Sequence, residues 1–148
     1  MTRDDMILLA DTVARAHGVD PALVKAVCHY ESANWQTWAT RFEPRFFERY
    51  IKTMKGISIS EMHARATSWG LMQVMGQVAR EYGFAGRFLA ELCDPATGIE
   101  YGVRKFGREL ARNSGDIRKT LLAYNGGGDA GYPARVLAYV DSYRIETA

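Results

Sequence analysis

The sequence contains few of the residues that build metal centres or disulfide frameworks. Its two cysteines, Cys28 and Cys93, lie far apart, and its three histidines are scattered along the chain. A structural zinc site needs four clustered ligands, and a disulfide framework needs several cysteine pairs. We therefore expect no metal and no cofactor, and we expect both cysteines to be reduced thiols in the core.

Long apolar runs and a strong excess of one charge are also missing. No stretch approaches the ~18 apolar residues that a membrane-spanning helix requires, so we expect no membrane insertion. Asp4 and Asp5 precede only a brief apolar run over 6–10, a pattern unlike a secretory signal, so we expect no signal peptide. The formal net charge of +2 is too small to indicate nucleic acid, and we expect no nucleic-acid partner.

The length and the hydrophobic pattern predict one helical domain. A chain of 148 residues, 47% of them hydrophobic, can bury one core, so we expect a single domain over 1–148 and a monomer. Apolar residues recur at helical spacing, which predicts a mainly α fold, α+β at most. Caps and glycines divide the chain into helices over 4–16, 21–31, 44–54, 70–82, 95–112, 117–124 and 133–143.

The sequence supports a more specific structural prediction at two places. At 57–59 the sequence allows a short strand, or a helical turn that begins with Ser58 and Glu61 as a capping box. Gly102 interrupts an otherwise strongly amphipathic helix, which indicates the close approach of another backbone.

Glu31 is the first candidate for chemistry. Asp20 can cap its helix and Pro21 suits the first turn, where a missing N–H is harmless. Glu31 lies on the same helical stripe as three apolar residues, Leu23, Val27 and Tyr30. Burial and the negative end of the helix dipole both penalise a carboxylate, so we expect a raised pKa, as a general acid for glycoside cleavage requires. The alternative is an ordinary helix-end residue that reaches water.

Three short motifs follow one another on successive predicted helices. They are Glu31-Ser32 at a helix end, Gly70-Leu71-Met72-Gln73 at a helix start, and Ala123-Tyr124-Asn125-Gly126-Gly127 at a helix end. In this order they resemble the soluble lytic transglycosylases and the related goose-type lysozymes, and the resemblance covers nearly the whole chain. It implies a lysozyme-like helical domain with a glycan-binding cleft that acts on the glycan strands of peptidoglycan.

The resemblance also implies roles for individual residues. Glu31 becomes the catalytic acid and base, and Tyr124 is expected to hydrogen-bond its carboxylate. The expected substrate-binding residues are Ser32 as a support beside Glu31, Gln73, Met75, Asn125 and Tyr139. Trp35 and Trp38, just past Glu31, are candidates to stack on sugar rings. Each has a structural alternative, such as a gap-filling core position for Met75 or a helix cap for Asn125.

The segment over 33–68 departs from the family pattern. Thirty-nine positions separate Glu31 from Gly70, more than the common pattern has, so the usual Ser has no sure equivalent, with Ser68 and Thr67 as candidates. The segment is rich in aromatic residues and carries six Lys or Arg against three Glu. Its part over 41–47 also resembles the corresponding part of phage-encoded lytic members, which implies a bacteriolytic endolysin made in the host cytoplasm and acting in the periplasm or on the cell wall. The alternative is a domain cut from a larger secreted or virion protein.

Three functions remain open from the sequence. A lytic transglycosylase needs one carboxylate, Glu31, and closes a 1,6-anhydro ring on MurNAc. A hydrolytic muramidase usually needs a second carboxylate to activate water, for which Glu43 is the candidate and Glu48 the weaker one. A non-catalytic helical module could instead bind glycan or nucleic acid through the residues between Arg41 and Lys55.

Overall fold

The computed structural model describes residues 1–145, and helices dominate them. The helices are α1 Arg3–Ala16, α2 Pro21–Glu31, α3 Pro44–Phe46, α4 Ile59–Arg65, α5 Gly76–Glu81, α6 Pro95–Arg112, α7 Ile117–Tyr124 and α8 Tyr132–Ile145. A π-helical turn, Phe47–Ile51, continues α3, and a 3-10 turn, Leu89–Cys93, precedes α6. The strands are β1 Thr40–Phe42, β2 Thr67–Trp69 and β3 Val74–Met75. The predicted fold class, mainly α and at most α+β, is confirmed.

The helices begin where the capping residues predict. Asp20 accepts a hydrogen bond from the Ala22 backbone N–H ahead of α2, with Pro21 at the first helical position. Asp94 and Asp116 cap α6 and α7 in the same way, through the N–H groups three residues later. These caps satisfy backbone donors that have no partner inside the helix. The boundaries of α1, α2, α6, α7 and α8 therefore lie within a few residues of the prediction.

The three strands form a small antiparallel sheet that the sequence did not predict. Its order is β1-β2-β3, with Arg41 opposite Ser68 and Ser68 opposite Met75. The residues over 70–73, predicted to open a helix, instead form the turn between β2 and β3, and α5 begins only at Gly76. Gly70 has φ +73° and Gln73 has φ +48°, left-handed values that a helix start cannot contain.

The strand alternative at 57–59 was wrong. Ser58 accepts a hydrogen bond from the Glu61 backbone N–H, and α4 begins directly after it. A polar cap at this position satisfies the first turn of a helix, so the helical alternative of the prediction holds.

The core surrounds α2, which packs against α1 and α8. Every residue of α2 from Ala22 to Cys28 is buried, including Lys25, whose ammonium pairs with Asp11 at 2.9 Å. Cys28 and Cys93 are both buried and unpaired, as predicted. Because α2 is buried from Ala22 to Cys28 and carries Glu31 at its last position, packing of the core determines where this carboxylate lies.

Gly102 marks a close approach, though to a side chain rather than to a backbone. A Cβ at this position would lie 2.6 Å from Met72 Cβ and 2.9 Å from Met72 Cγ. Met72 itself is fully buried. The missing side chain at 102 therefore lets α6 pack directly against the turn over 70–73.

Candidate active site

A cleft of about 600 Å³ opens beside the last residue of α2. It is bordered by the C-terminal ends of α2 and α7, the small sheet, one side of α6 and the glycine-rich segment before α8. Its lining residues are Glu31, Arg41, Glu43, Phe46, Ser68, Gln73, Met75, Val78, Lys105, Ala123, Tyr124, Asn125, Gly126 and Asp129. The structure therefore gathers residues that are up to 98 positions apart in the sequence.

Glu31 is a largely buried acid in this cleft. Its Oε1 accepts a hydrogen bond from the Tyr132 hydroxyl at 2.7 Å. Burial raises the pKa of Glu31, while the Tyr132 hydrogen bond and the positive charges of Lys105 and Arg41 act in the opposite direction. The raised pKa favours a protonated carboxyl group that can donate its proton to a bound substrate.

Tyr132 is the most important residue that the sequence analysis missed. It is the first residue of α8, is 1% exposed, and meets the Tyr30 ring edge-on with centroids 5.3 Å apart. Its backbone N–H donates to the Asp129 carbonyl at 3.1 Å. Packing and this hydrogen bond hold the hydroxyl against Glu31, and no local sequence signal at 132 indicates that partner.

Tyr124 does not make the predicted hydrogen bond to Glu31. Its hydroxyl donates instead to the Met72 carbonyl at 2.6 Å, and its side chain is buried while still lining the cleft. The bond connects the end of α7 to the turn over 70–73. The Met72 carbonyl is free to accept this bond because it lies in a turn. In a helix over the same residues it would accept a backbone N–H of the helix itself.

Gln73, Met75 and Asn125 lie in the cleft, as the resemblance implies. The Gln73 side-chain nitrogen donates to the Ala39 carbonyl at 2.8 Å and to the Gly70 carbonyl at 3.1 Å, which fixes the amide at the cleft wall. Met75 belongs to β3, and Asn125 is the exposed C-cap of α7. Ser68 also lines the cleft, whereas the Thr67 hydroxyl donates to the His63 carbonyl.

Ser32 and Tyr139 are not among the cleft-lining residues. Ser32 is fully buried, and its hydroxyl donates to the Cys28 carbonyl and accepts from the Trp35 backbone N–H. It therefore supports the end of α2 and has no access to a substrate. The Tyr139 ring stacks on His29 with centroids 4.1 Å apart, on the side of α2 where α8 packs.

The two tryptophans that follow Glu31 have different surroundings. Trp35 is 4% exposed and its indole N–H donates to the Tyr143 hydroxyl at 2.8 Å, so its predicted stacking on sugar rings is wrong. Trp38 is 75% exposed and keeps an accessible ring.

Two further carboxylates border the cleft. Glu43, the candidate second carboxylate, forms an ion pair with Arg41 at 3.2 Å. Asp129 was not predicted; it pairs with Arg135 and accepts a hydrogen bond from the Gly131 backbone N–H. The run of glycines before Asp129 exceeds what a helix end needs, and that excess was the available signal. Glu48, the weaker candidate, is exposed and pairs with Lys52 outside the cleft.

Lys105 is a partly buried cation in the cleft wall that the sequence analysis also missed. Its ammonium donates to the Tyr124 carbonyl at 2.8 Å and lies 4.2 Å from the centre of the Tyr124 ring. Burial lowers the pKa of Lys105, while the charges of Glu31 and Glu109 oppose that shift. Its position three residues after Gly102, on the packed side of α6, was the available signal. An ammonium here stabilises negative charge on Glu31.

Within residues 1–145 no group of three or more acidic, His or Cys side chains could hold a metal ion. Over the same residues, no helix has the length and apolarity to span a bilayer.

The helical fold and the cleft, with one largely buried acid whose pKa is raised, are those of a lysozyme-like, glycan-cleaving class of protein. A family model described as the transglycosylase SLT domain matches residues 9–138, and the chain belongs to this family. No curated protein and no solved structure matches the chain. The match includes every residue that lines the cleft, from Glu31 to Asp129, and also Tyr132, the hydrogen-bond partner of Glu31.

Proposed function

We propose that this protein is a peptidoglycan lytic transglycosylase in which Glu31 acts first as acid and then as base. The protonated Glu31 donates its proton to the glycosidic oxygen between MurNAc and GlcNAc, and the β-1,4 bond breaks. The acetamido group of MurNAc stabilises the cationic carbon. The Glu31 carboxylate then removes the proton of the C6 hydroxyl, whose oxygen bonds to that carbon and closes the 1,6-anhydro ring. Glu31 is thereby protonated again, and no water molecule takes part in the reaction.

One observation carries this proposal: the only largely buried carboxyl group among the cleft residues is Glu31, and it has a raised pKa and a hydroxyl partner. Proton transfer by a positioned acid contributes about 10²–10⁴-fold to a rate. Tyr132 holds the carboxyl group in place, and Lys105 stabilises the carboxylate that exists between the two proton transfers. Both steps are thus supported by groups that are already positioned before substrate binds.

The remaining cleft residues supply positions for the sugar. The Gln73 side-chain oxygen and the Asn125 amide offer hydrogen bonds to acetamido and hydroxyl groups, and Met75 offers an apolar contact. Outside the cleft lining, the exposed Trp38 just before β1 offers an accessible ring. Ordering the substrate with these groups removes much of the entropic barrier to the intramolecular ring closure.

A hydrolytic muramidase is the second candidate, because Glu43 shares the cleft with Glu31. In that mechanism the Glu43 carboxylate would activate a water molecule, as inverting glycosidases do with two carboxylates about 6.5–9.5 Å apart. The ion pair with Arg41 engages one of the Glu43 oxygens, which favours the first proposal.

Product analysis tests the two mechanisms. Purified peptidoglycan is digested with the wild-type protein and with Glu31→Gln and Glu43→Gln, and the fragments are identified by mass spectrometry. We expect 1,6-anhydro-MurNAc ends from the wild type and from Glu43→Gln, and none from Glu31→Gln. Reducing MurNAc ends that vanish in Glu43→Gln would establish the muramidase. Full activity of Glu31→Gln would show that Glu31 is not the catalytic acid and would overturn both mechanisms. No cleavage by any of the three proteins would favour the non-catalytic module over Arg41 to Lys55.

We also infer that the activity serves bacteriolysis, as in a phage endolysin, on the resemblance of the segment over 41–47. Expression together with a membrane pore should lyse host cells, while the same experiment with Glu31→Gln should leave them intact.

A further inference from the structure

The helix after β1 separates two surfaces of the protein. On one side, Phe46 of this helix and the preceding Arg41 and Glu43 line the cleft. On the other side lies a shallow groove of about 420 Å³, lined by Pro44, Arg45, Glu48, Arg49 and Lys52. Residues at spacings of three and four share a helix face, which accounts for this second set. We refer to Arg45, Arg49 and Lys52 as the basic face.

The basic face carries uncompensated positive charge. Lys52 pairs with Glu48 at 2.6 Å, but neither Arg45 nor Arg49 has a carboxylate partner within residues 1–145. Both arginines are exposed, and Arg49 contacts only the Tyr50 ring among the charged and aromatic groups described, at 5.2 Å from its centre. Free guanidinium groups bind carboxylates through two parallel hydrogen bonds, so this groove suits an anionic ligand rich in carboxylates.

We propose that the basic face binds the carboxylates of the stem peptide attached to the MurNAc in the cleft, so that the protein prefers peptide-bearing glycan strands. This inference rests on the proposed function. The stem peptide begins on the lactyl group of MurNAc and carries free carboxylates, which complement the two arginines. Its attachment to the sugar in the cleft would bring it to a groove that borders the same helix.

An extended stem peptide is long enough to pass over one helix. A helix with its side chains is about 10–12 Å across. A stem peptide of about five residues reaches about 17 Å when extended, so it can pass over the helix from the cleft to the groove.

Tethering also makes weak contacts sufficient. An exposed ion pair contributes about 0.2–1 kcal/mol in isolation. When the sugar is already bound, the peptide contacts become intramolecular, and two such pairs add to affinity without a second association cost. A free anionic polymer would lack this advantage at a surface of such modest charge.

The test compares two substrates and two double variants. The substrates are intact glycan strands and strands whose peptides have been removed with an amidase. The variants are Arg45→Gln with Arg49→Gln, and the control Arg118→Gln with Lys119→Gln, which removes the same charge from exposed positions of α7 outside both grooves. We expect the first variant to raise KM for peptide-bearing strands about five- to tenfold. Its kcat, its KM for denuded strands, and both constants of the control should be unchanged.

Other results would overturn the inference. Equal loss on both substrates would show that the arginines contact the sugar or act on the fold, and no loss on either would show that they bind nothing. Inhibition by inorganic polyphosphate that depends on the basic face, without any peptide preference, would assign the groove to a phosphate polymer.

A separate measurement distinguishes a failure of the proposed function from a failure of this inference. Calorimetry with Glu31→Gln and a peptide-bearing muramyl fragment reports binding without turnover. If wild-type protein cleaves neither substrate while this binding depends on Arg45 and Arg49, the proposed reaction is wrong and the basic face still recognises the peptide. If cleavage proceeds and this binding ignores both arginines, only the inference fails.

Discussion

The Tyr132 hydroxyl donates a hydrogen bond of 2.7 Å to Glu31 Oε1, across 101 positions of the sequence. The first residue of α8 thereby meets the last residue of α2. The bond lowers the pKa of Glu31, against the larger effect of burial. It also orients the carboxyl group, so a change at Tyr132 should alter both the acidity and the position of the same acid.

Replacing Tyr132 with Phe should reduce turnover about 10- to 100-fold, the equivalent of one hydrogen bond to a charged group. The alkaline limb of the kcat/KM profile should move to higher pH, because the carboxylate loses a stabilising donor. Tyr124→Phe is the matched control, since its hydroxyl bonds to Met72 and not to Glu31. That variant should lose stability with its alkaline limb unchanged, and a shift of the limb in Tyr124→Phe alone would contradict the assignment.

Replacing Glu31 with Gln should lower activity about 10²–10⁴-fold and change how stability depends on pH. Because burial raises the pKa of Glu31 in the folded state, the folded protein binds more protons than the unfolded chain. The stabilisation from this group is therefore complete below the unfolded pKa and is lost as pH rises through the folded pKa.

Thermal unfolding of wild type and Glu31→Gln between pH 4 and pH 8 measures that loss. The difference in Tm, variant minus wild type, should increase with pH. Each kcal/mol that the wild type loses in its free energy of unfolding corresponds to about 2–4 °C. Glu43→Gln provides the control, as an exchange of the same type in the same cleft. A difference in Tm that is constant across this range would show that burial does not penalise the ionised form of Glu31.

Replacing Lys105 with Gln should shift the alkaline limb of kcat/KM to higher pH, because the Glu31 carboxylate loses a nearby positive charge. Lys105→Arg keeps the charge and should retain most of the wild-type profile. Carboxyl carbon NMR of Glu31 measures the same shift without turnover, which separates an electrostatic effect from a folding defect. An identical Glu31 titration in Lys105→Gln and wild type would exclude the role.

Replacing Gly102 with Ala should destabilise the protein by about 1–3 kcal/mol, since the new methyl group would overlap Met72 in a filled core. Gly107→Ala on the same helix is the control, because its Cβ would meet only Val19 Cγ2 at 3.7 Å, an ordinary contact. That control should be neutral or stabilising by up to about 1 kcal/mol, as alanine favours helix more than glycine. Urea unfolding of both variants gives the comparison, and equal stabilities would refute the packing argument.

The helix boundaries were predictable because their signals are local. The caps Asp20, Asp94 and Asp116 each satisfy backbone donors within three residues, so a short window of sequence contains the whole interaction. The family resemblance placed Gln73, Met75 and Asn125 at the cleft for a similar reason, since each belongs to a short motif.

The misassigned turn over 70–73 shows where local signals are insufficient. Its apolar residues have a spacing that also suits a helix, yet the chain pairs β3 with β2 and aims the Gln73 amide at the Ala39 carbonyl. Sheet pairing joins residues that are distant in sequence, so no window over 70–82 contains the competing interaction.

Local patterns in the sequence were enough to predict most of the helices, the buried stripe of α2 and the carboxyl group at its end, because helical periodicity and capping are properties of neighbouring residues. Only the tertiary structure decided that Tyr132 rather than Tyr124 meets Glu31, that Lys105 lies in the cleft wall, and that Trp35 is a core residue. These outcomes depend on how α6, α7 and α8 pack around α2. Residues far apart in the chain contribute to this packing together, so no short stretch of the sequence contains a signal for it.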